Sequence, residues 1–402
     1  MDKHSEIKES NAGPDQESSR KLFDDSSVEN KTAAAAEKST VAPAYLMHGN
    51  HGVIPAYVLE DIARRNTDNQ GTLNTLARMP EPHVDPPFSP RVDGPANRRV
   101  YDAKERTSLP GEKARFEGES ATGNSDVDKA YEFTGIVRDF YKNVYNRNSI
   151  DGKGMDLVST VNYGKSYENA FWNGSQMTYG KPGEKSPFQT FVLLDVCAHE
   201  ITHGVTEKES KMEYYSQPGA LNESMSDVFG VLVEQYSKNQ TADQAKWLVG
   251  DGIWKSNING RALRDMLNPG TAYDDPKIGK DRQPAHMKDY YKGWSDNQGV
   301  HINSGIPNRA FATFAQAAGG YAWDKPGQIW FAARRAAGSK PDFAQFAQHT
   351  IDQAEKLGYA DLVPKLKTAW EEVGVTPSAA GSPKPSAVEE LVESKAAKRK
   401  AA

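Results

Sequence analysis

The sequence predicts an α+β protein in which strands precede helices. Three stretches carry that expectation. "MDLVSTVNYG" and "ENAFWNGSQMTYG" are β-branched and aromatic, separated by a glycine-containing gap, and read as strands. From Thr190 onward the pattern turns mainly helical, through residues 219–238 and 301–372. At the start of that helical part lies "FVLLDVCAHEITHGV", residues 191–205. It is apolar nearly throughout, yet it carries His199, Glu200 and His203.

A chain of 402 residues exceeds what one compact core usually supports, so two or more folding units are expected. Its composition (37% hydrophobic, 26% charged) is that of a globular protein, and a net charge of −5 is small for this length. Neither nucleic acid nor an anionic membrane is expected as a partner. No apolar window of about 18 residues occurs, so no membrane span is expected. The first forty residues hold no apolar run of about seven, so no Sec-type signal peptide is expected. Cytoplasmic location, or secretion by an unconventional route, is the resulting expectation. Cys197 stands alone and cannot form an intrachain disulfide.

In chain order, residues 1–42 are polar and mixed in charge, and are predicted to be disordered. Residues 43–96 form a short ordered unit and a linker. In "HGVIPAYVLEDIARR", Pro55 sits near a helix start and Val58, Leu59 and Ile62 come after it at helical spacing. The linker, with Pro80, Pro82, Pro86, Pro87, Pro90 and Pro95, reads as extended. A helix is predicted over 125–148, capped by Ser125 or Asp126, with Ala130, Phe133, Val137, Phe140 and Val144 on one face. Residues 97–207 make a β-rich part ending in the His199 helix, and 208–376 a helical part. The tail 377–402 is of low complexity and is predicted to be disordered.

His199 and His203 are four apart, so a helix places both on one face, where two imidazoles can reach one zinc ion. Glu200 lies about 100° round the helix and can reach a water on that ion. This is the H-E-x-x-H arrangement, in which the glutamate takes the water's proton. A catalytic zinc needs a third protein ligand from a second element. "GALNESMSDVFG" offers Glu223 for it, with Asp227 one turn on to hold the free ring N–H of His199. The alternative is a solvated acidic face. Val228, Phe229, Leu232 and Val233 argue instead for a buried helix, where carboxylates need partners.

With these residues in hand, the chain resembles the thermolysin-like zinc metallopeptidases. The resemblance rests on "AHEITHGVTE", "GALNESMSD", "ENAFWNGSQMTYG" and "DNQGVHINSGIPNRAF", in the family's order and spacing, across roughly residues 98–375. "HGVIPAYVLEDIARR", with a short proline-rich run after it, is similar to the compact propeptide of the protealysin-type branch. The resemblance implies a two-lobed fold, β-rich then helical, with the zinc helix in the cleft. It implies a zinc-dependent neutral endopeptidase, made as a self-processed precursor. His301 and Tyr214 would donate to the oxyanion, and Asp296 would orient His301. Asn169 and the backbone of Ala170 would grip the substrate chain, and Arg264 would hold the carbonyl beyond the scissile bond. Val196, Val249 and Leu263 match specificity-pocket positions, so a hydrophobic residue is expected just after the scissile bond.

Asp195, Glu234 and Asp251 match carboxylates of a family calcium site, where Lys246 and Leu248 replace further acidic ligands. At most one calcium is expected. The alternative is an ion pair of Glu234 and Asp251 with Lys246. The expected partners are peptide or protein substrates and the chain's own propeptide as inhibitor. A proteinaceous inhibitor is a further candidate, and the chain is expected to be a monomer.

Overall fold

The computed structural model describes residues 51–66, 68–78 and 97–378. The predicted disorder of 1–42, the linker and the tail beyond 378 lie outside the described residues. The first element is a two-residue strand, β1 (His51–Gly52), succeeded by α1 (Ala56–Arg65) and α2 (Gln70–Ala77). Pro55 caps α1, as its fixed φ and missing donor suit a helix start. Val58, Leu59 and Ile62 are buried, as their spacing predicted.

The β-rich half comes next. β2 (Arg98–Asp102) and β3 (Glu112–Phe116) pair antiparallel. The long helix α3 (Ser125–Tyr145) then returns the chain to β4 (Leu157–Tyr163), which runs parallel to β2. β5 (Ala170–Trp172) and β6 (Met177–Gly180) complete a six-stranded sheet of order β1-β5-β6-β4-β2-β3. The cap of α3 is neither Ser125 nor Asp126. The Asn124 side chain accepts from the amides of Asp126 and Val127, and Ser125 is already the first helical residue. Asparagine is among the best N-caps, so the boundary moves one residue upstream.

The helical half opens with α4 (Leu194–Glu209) and α5 (Ser216–Ser237), which pack closely against each other. Gly230 makes that approach feasible: a Cβ there would lie 2.8 Å from the Asp195 backbone oxygen on α4. Gly204 does the same on the sheet side, where a Cβ would meet Ile150 and Trp172 at 2.9 Å. Two small hairpins come after α5, β7 (Leu248–Val249) with β8 (Arg264–Asp265) and β9 (Asp274–Asp275) with β10 (Gly279–Lys280). The last helices are α6 (Ser295–Asn303), α7 (Gly305–Ala318), α8 (Lys325–Ala336), α9 (Phe343–Lys356) and α10 (Val363–Glu372). Trp330 is fully buried among them, stacked on Phe314 and Trp370.

Helix α6 is broken near its start. Asp296, Asn297, Gln298 and Gly299 all have positive φ, between 49° and 80°. Left-handed backbone is costly for residues with a Cβ, and a run of it needs a structural reason.

Candidate active site

Helix α4 presents His199 and His203, and α5 presents Glu223, all buried. Each imidazole is fixed from behind. His199 Nδ1 lies 2.8 Å from Asp227 Oδ1, and His203 Nδ1 lies 2.8 Å from Asn222 Oδ1. Asn222 gives its own amide N–H to the Met212 carbonyl, which sets its oxygen toward His203. Both histidines therefore donate from Nδ1 and turn an Nε2 lone pair inward. Those two nitrogens stand 3.1 Å apart. Glu223 approaches them at 3.5 Å and 3.4 Å, and its Oε2 has no hydrogen-bond partner although buried.

Converging lone pairs beside an unpartnered buried carboxylate oxygen are unfavourable unless a cation completes the set. Two imidazoles and one carboxylate are ligands that zinc accepts with a position left open. Among the described residues, His199, His203 and Glu223 are the one group of three metal-capable side chains whose donor atoms lie within 4.8 Å of one another.

Glu200 lies one residue from the first ligand and is fully buried. Its Oε2 accepts from the Trp172 amide on β5 at 2.9 Å. Burial, and then the Glu223 charge, push its pKa well above the usual carboxylate range, against the amides of Trp172 and Val53. Across the cleft, His301 Nε2 lies 3.1 Å from the Tyr214 hydroxyl and 3.4 Å from Glu223 Oε1. Tyr214 also hydrogen-bonds to Glu223. The left-handed turn of α6 folds Asp296 back under His301. One Asp296 oxygen receives the amides of His301 and Ile302, and the other lies 2.6 Å from His301 Nδ1. Burial pulls the imidazole pKa down, but the Glu223 and Asp296 carboxylates outweigh it and hold it at about 9.

Asp227 is a hub rather than a partner of His199 alone. Arg264 grips both its oxygens, at 2.8 Å and 2.6 Å, and Asn308 donates to one at 2.8 Å. Burial raises its pKa, but Arg264 and His199 outweigh burial and hold it far below the usual range. Asn169 and Ala170 lie on the β5 edge, where they bind residues 53 and 54. Val196, Val249 and Leu263 are buried, with the Leu263 amide on the Val249 carbonyl at 2.9 Å. Cys197 is buried too, and burial pushes its thiol up to about 12. It offers no thiolate nucleophile.

The calcium-type carboxylates are partly engaged by lysines. Asp251 pairs with Lys246 at 2.6 Å, but Glu234 pairs with Lys238 and not with Lys246. Lys238 lies one helical turn beyond Glu234, which places its ammonium nearer. Burial and the Glu234 charge raise buried Asp195 to about 7, while its two oxygens accept the amides of Val196 and Gly250.

Sequence reasoning missed Asn222 and Asn308, which hold His203 and Asp227. Neutral amides carry no motif signal, although Asn222 immediately precedes the third ligand.

The fold and this donor set define a zinc metallopeptidase of the H-E-x-x-H type. Two family models match the chain: the thermolysin metallopeptidase catalytic domain over residues 89–207, and its alpha-helical domain over 210–375. An extracellular metalloprotease of Pectobacterium carotovorum is 44% identical over 338 residues, which cover 80% of this chain and 96% of the relative. Protease PrtS of Photorhabdus is 41% identical, covering 81% and 92%. The solved precursor of protealysin, a metalloproteinase from Serratia proteamaculans, superposes with a TM-score of 0.75 at 45% identity. It covers 81% of this chain and 100% of that one. The chain belongs to the thermolysin family of metallopeptidases, in its protealysin-type branch. It is a zinc-dependent endopeptidase with the α+β thermolysin-like fold.

The expectation of a cytoplasmic or unconventionally secreted protein is overturned. The relatives from Pectobacterium and from Serratia marcescens are named extracellular proteases. That expectation rested on the lack of a leader-like apolar run, which is a weak guide to export.

Proposed function

We propose that the chain is the self-processed precursor of an endopeptidase that acts outside the cell and cuts before Leu, Phe, Ile or Val. His199, His203 and Glu223 hold zinc. When bound, zinc supplies a Lewis acid for the substrate carbonyl and lowers the pKa of water. Glu200 takes a proton from the attacking water and passes it to the leaving nitrogen. His301 and Tyr214 donate to the carbonyl oxygen as negative charge develops there, each worth about a few kcal/mol when well placed. Asp296 holds His301 for that task. Asp195 and Glu234 hold at most one calcium, and Lys246 supplies the cation for Asp251.

The single observation that carries this reading is that Tyr214 and His301 meet at Glu223, beside the converging His199 and His203 nitrogens, with all five side chains buried. Segment 51–65 supports the precursor reading. β1 adds antiparallel to β5, with His51 opposite Trp172 and Gly52 opposite Phe171. Asn169 binds the amide and the carbonyl of Ile54, both at 2.9 Å. Arg264 donates to the Val53 carbonyl at 3.1 Å. These are the groups expected to hold a substrate. Thr72 and Asn69 hydrogen-bond to buried Glu168, and Asp61 of α1 pairs with Arg282, so the stretch from β1 through α2 is latched at two points. Cleavage near residues 90–98 frees the cleft. Sequencing casein fragments made by the processed enzyme tests the preference. New amino termini should be enriched in Leu, Phe, Ile and Val. A majority of charged termini would refute it.

A further inference from the structure

Residues 51–54 do more than cover the cleft; their register selects one peptide bond. Extending the β1–β5 ladder puts Val53 opposite Ala170, and the Val53 amide donates to the Ala170 carbonyl at 3.0 Å. Glu200 is anchored on the same strand, where its Oε2 accepts from the Trp172 amide two residues along from Ala170. Arg264 takes the carbonyl one bond further on, and Asn169 takes both polar groups of Ile54. Sheet-edge addition is how extended peptides are held for reading, with backbone bonds fixing the register. The nitrogen held on that strand beside the proton-carrying glutamate, with its own carbonyl gripped by arginine, is the one placed to leave when a bond is cut.

We propose that Gly52–Val53 is seated as a scissile bond and that the enzyme hydrolyses it in its own chain. This rests on the peptidase reading of Glu200 and the zinc donors. Water's oxygen bonds to the Gly52 carbonyl carbon, and Glu200 moves one of its protons to the Val53 nitrogen. The C–N bond then breaks, leaving a carboxyl group on Gly52 and an amine on Val53. Val53 supplies the β-branched apolar residue that the specificity reading expects after the bond. Glycine suits the position before it: a Cβ at 52 would lie 2.5 Å from Asn169 Nδ2.

The test uses the full-length zinc-loaded chain, monitored by intact mass and terminal sequencing at several protein concentrations. Casein hydrolysis is measured alongside. A fragment ending at Gly52 and a new terminus at Val53 should form with a rate independent of concentration, because the bond is already in place. Gly52→Ala should slow that cut at least tenfold. If casein is cut while Gly52–Val53 stays intact, the segment is an uncleaved plug and the proposal fails, although the peptidase reading stands. If Gly52→Ala is cut as fast as wild type, the register is wrong. If neither casein nor the bond is cut, both readings fall together.

Discussion

His301 can donate from Nε2 only while both ring nitrogens carry protons, and the Glu223 and Asp296 carboxylates keep the second proton there. The folded-state pKa of about 9 lies above the ordinary histidine value, so the donor is fully present at low pH and is lost as pH rises through that value. A cation held by Glu223 weakens that carboxylate's share, so the loss sets in at or below that pH. Asp296→Asn removes the other raising charge. Its kcat/KM should fall at lower pH than in wild type, at unchanged zinc content, as a pH–rate profile would reveal. An unshifted alkaline limb would mean that Asp296 only props the turn. Among single residues, the sequence was most informative where they carry charge. His199, His203, Glu223 and Asp227 follow from helical spacing and ligand chemistry alone. Tyr214, His301 and Arg264 were visible only through the family's motifs, because they reach the site from separate elements. The amides of Asn222 and Asn308 left no trace in either.

The site depends on two helices meeting closely enough for their ligands to share one ion. α4 and α5 achieve this because Gly230 removes a side chain where the Asp195 backbone oxygen must pass, and a backbone oxygen cannot swing aside. Gly230→Val should cost about 1–3 kcal/mol through overpacking and should also weaken zinc retention. Denaturant unfolding of the zinc-loaded protein measures the first and metal analysis after dialysis the second; unchanged values in both would show that Gly230 does not set the helix spacing. Helix periodicity predicted α1, α3 and α5 within a few residues. It could not predict β1, a two-residue strand that exists only because the β5 edge receives it. Nor could it predict the left-handed turn at Asp296–Gly299, where the carboxylate bonds to two amides and an imidazole offset the backbone strain.

Across the whole molecule, the cleft is closed by its own chain, and the zinc donors, Glu200, Tyr214 and His301 are all buried in the presence of residues 51–65. Two side contacts hold the closure: Asp61 with Arg282, and Thr72 and Asn69 with Glu168. Burial raises the pKa of Glu168, while its hydrogen bonds to Thr72, Ser186 and Asn69 oppose the rise. Removing Thr72 therefore leaves a buried carboxylate short of a donor. The pair Asp61→Ala and Thr72→Ala should raise the casein activity of the unprocessed chain several-fold and leave the processed enzyme unchanged, since both residues are removed with the segment. Equal precursor activities would show that the latches are idle.

On the proposed reading, one buried constellation both digests protein and matures its own chain. Wild type and Glu200→Ala, each full length, should be assayed together for zinc content, chain mass and casein hydrolysis. Equal zinc is expected in both, with wild type shortening to a chain that begins near residues 90–98 and cutting casein. The variant should keep its full mass and lose about 10²- to 10⁴-fold of the casein activity. A Glu200→Ala chain that shortens and digests casein like wild type would show that neither reaction runs through this glutamate.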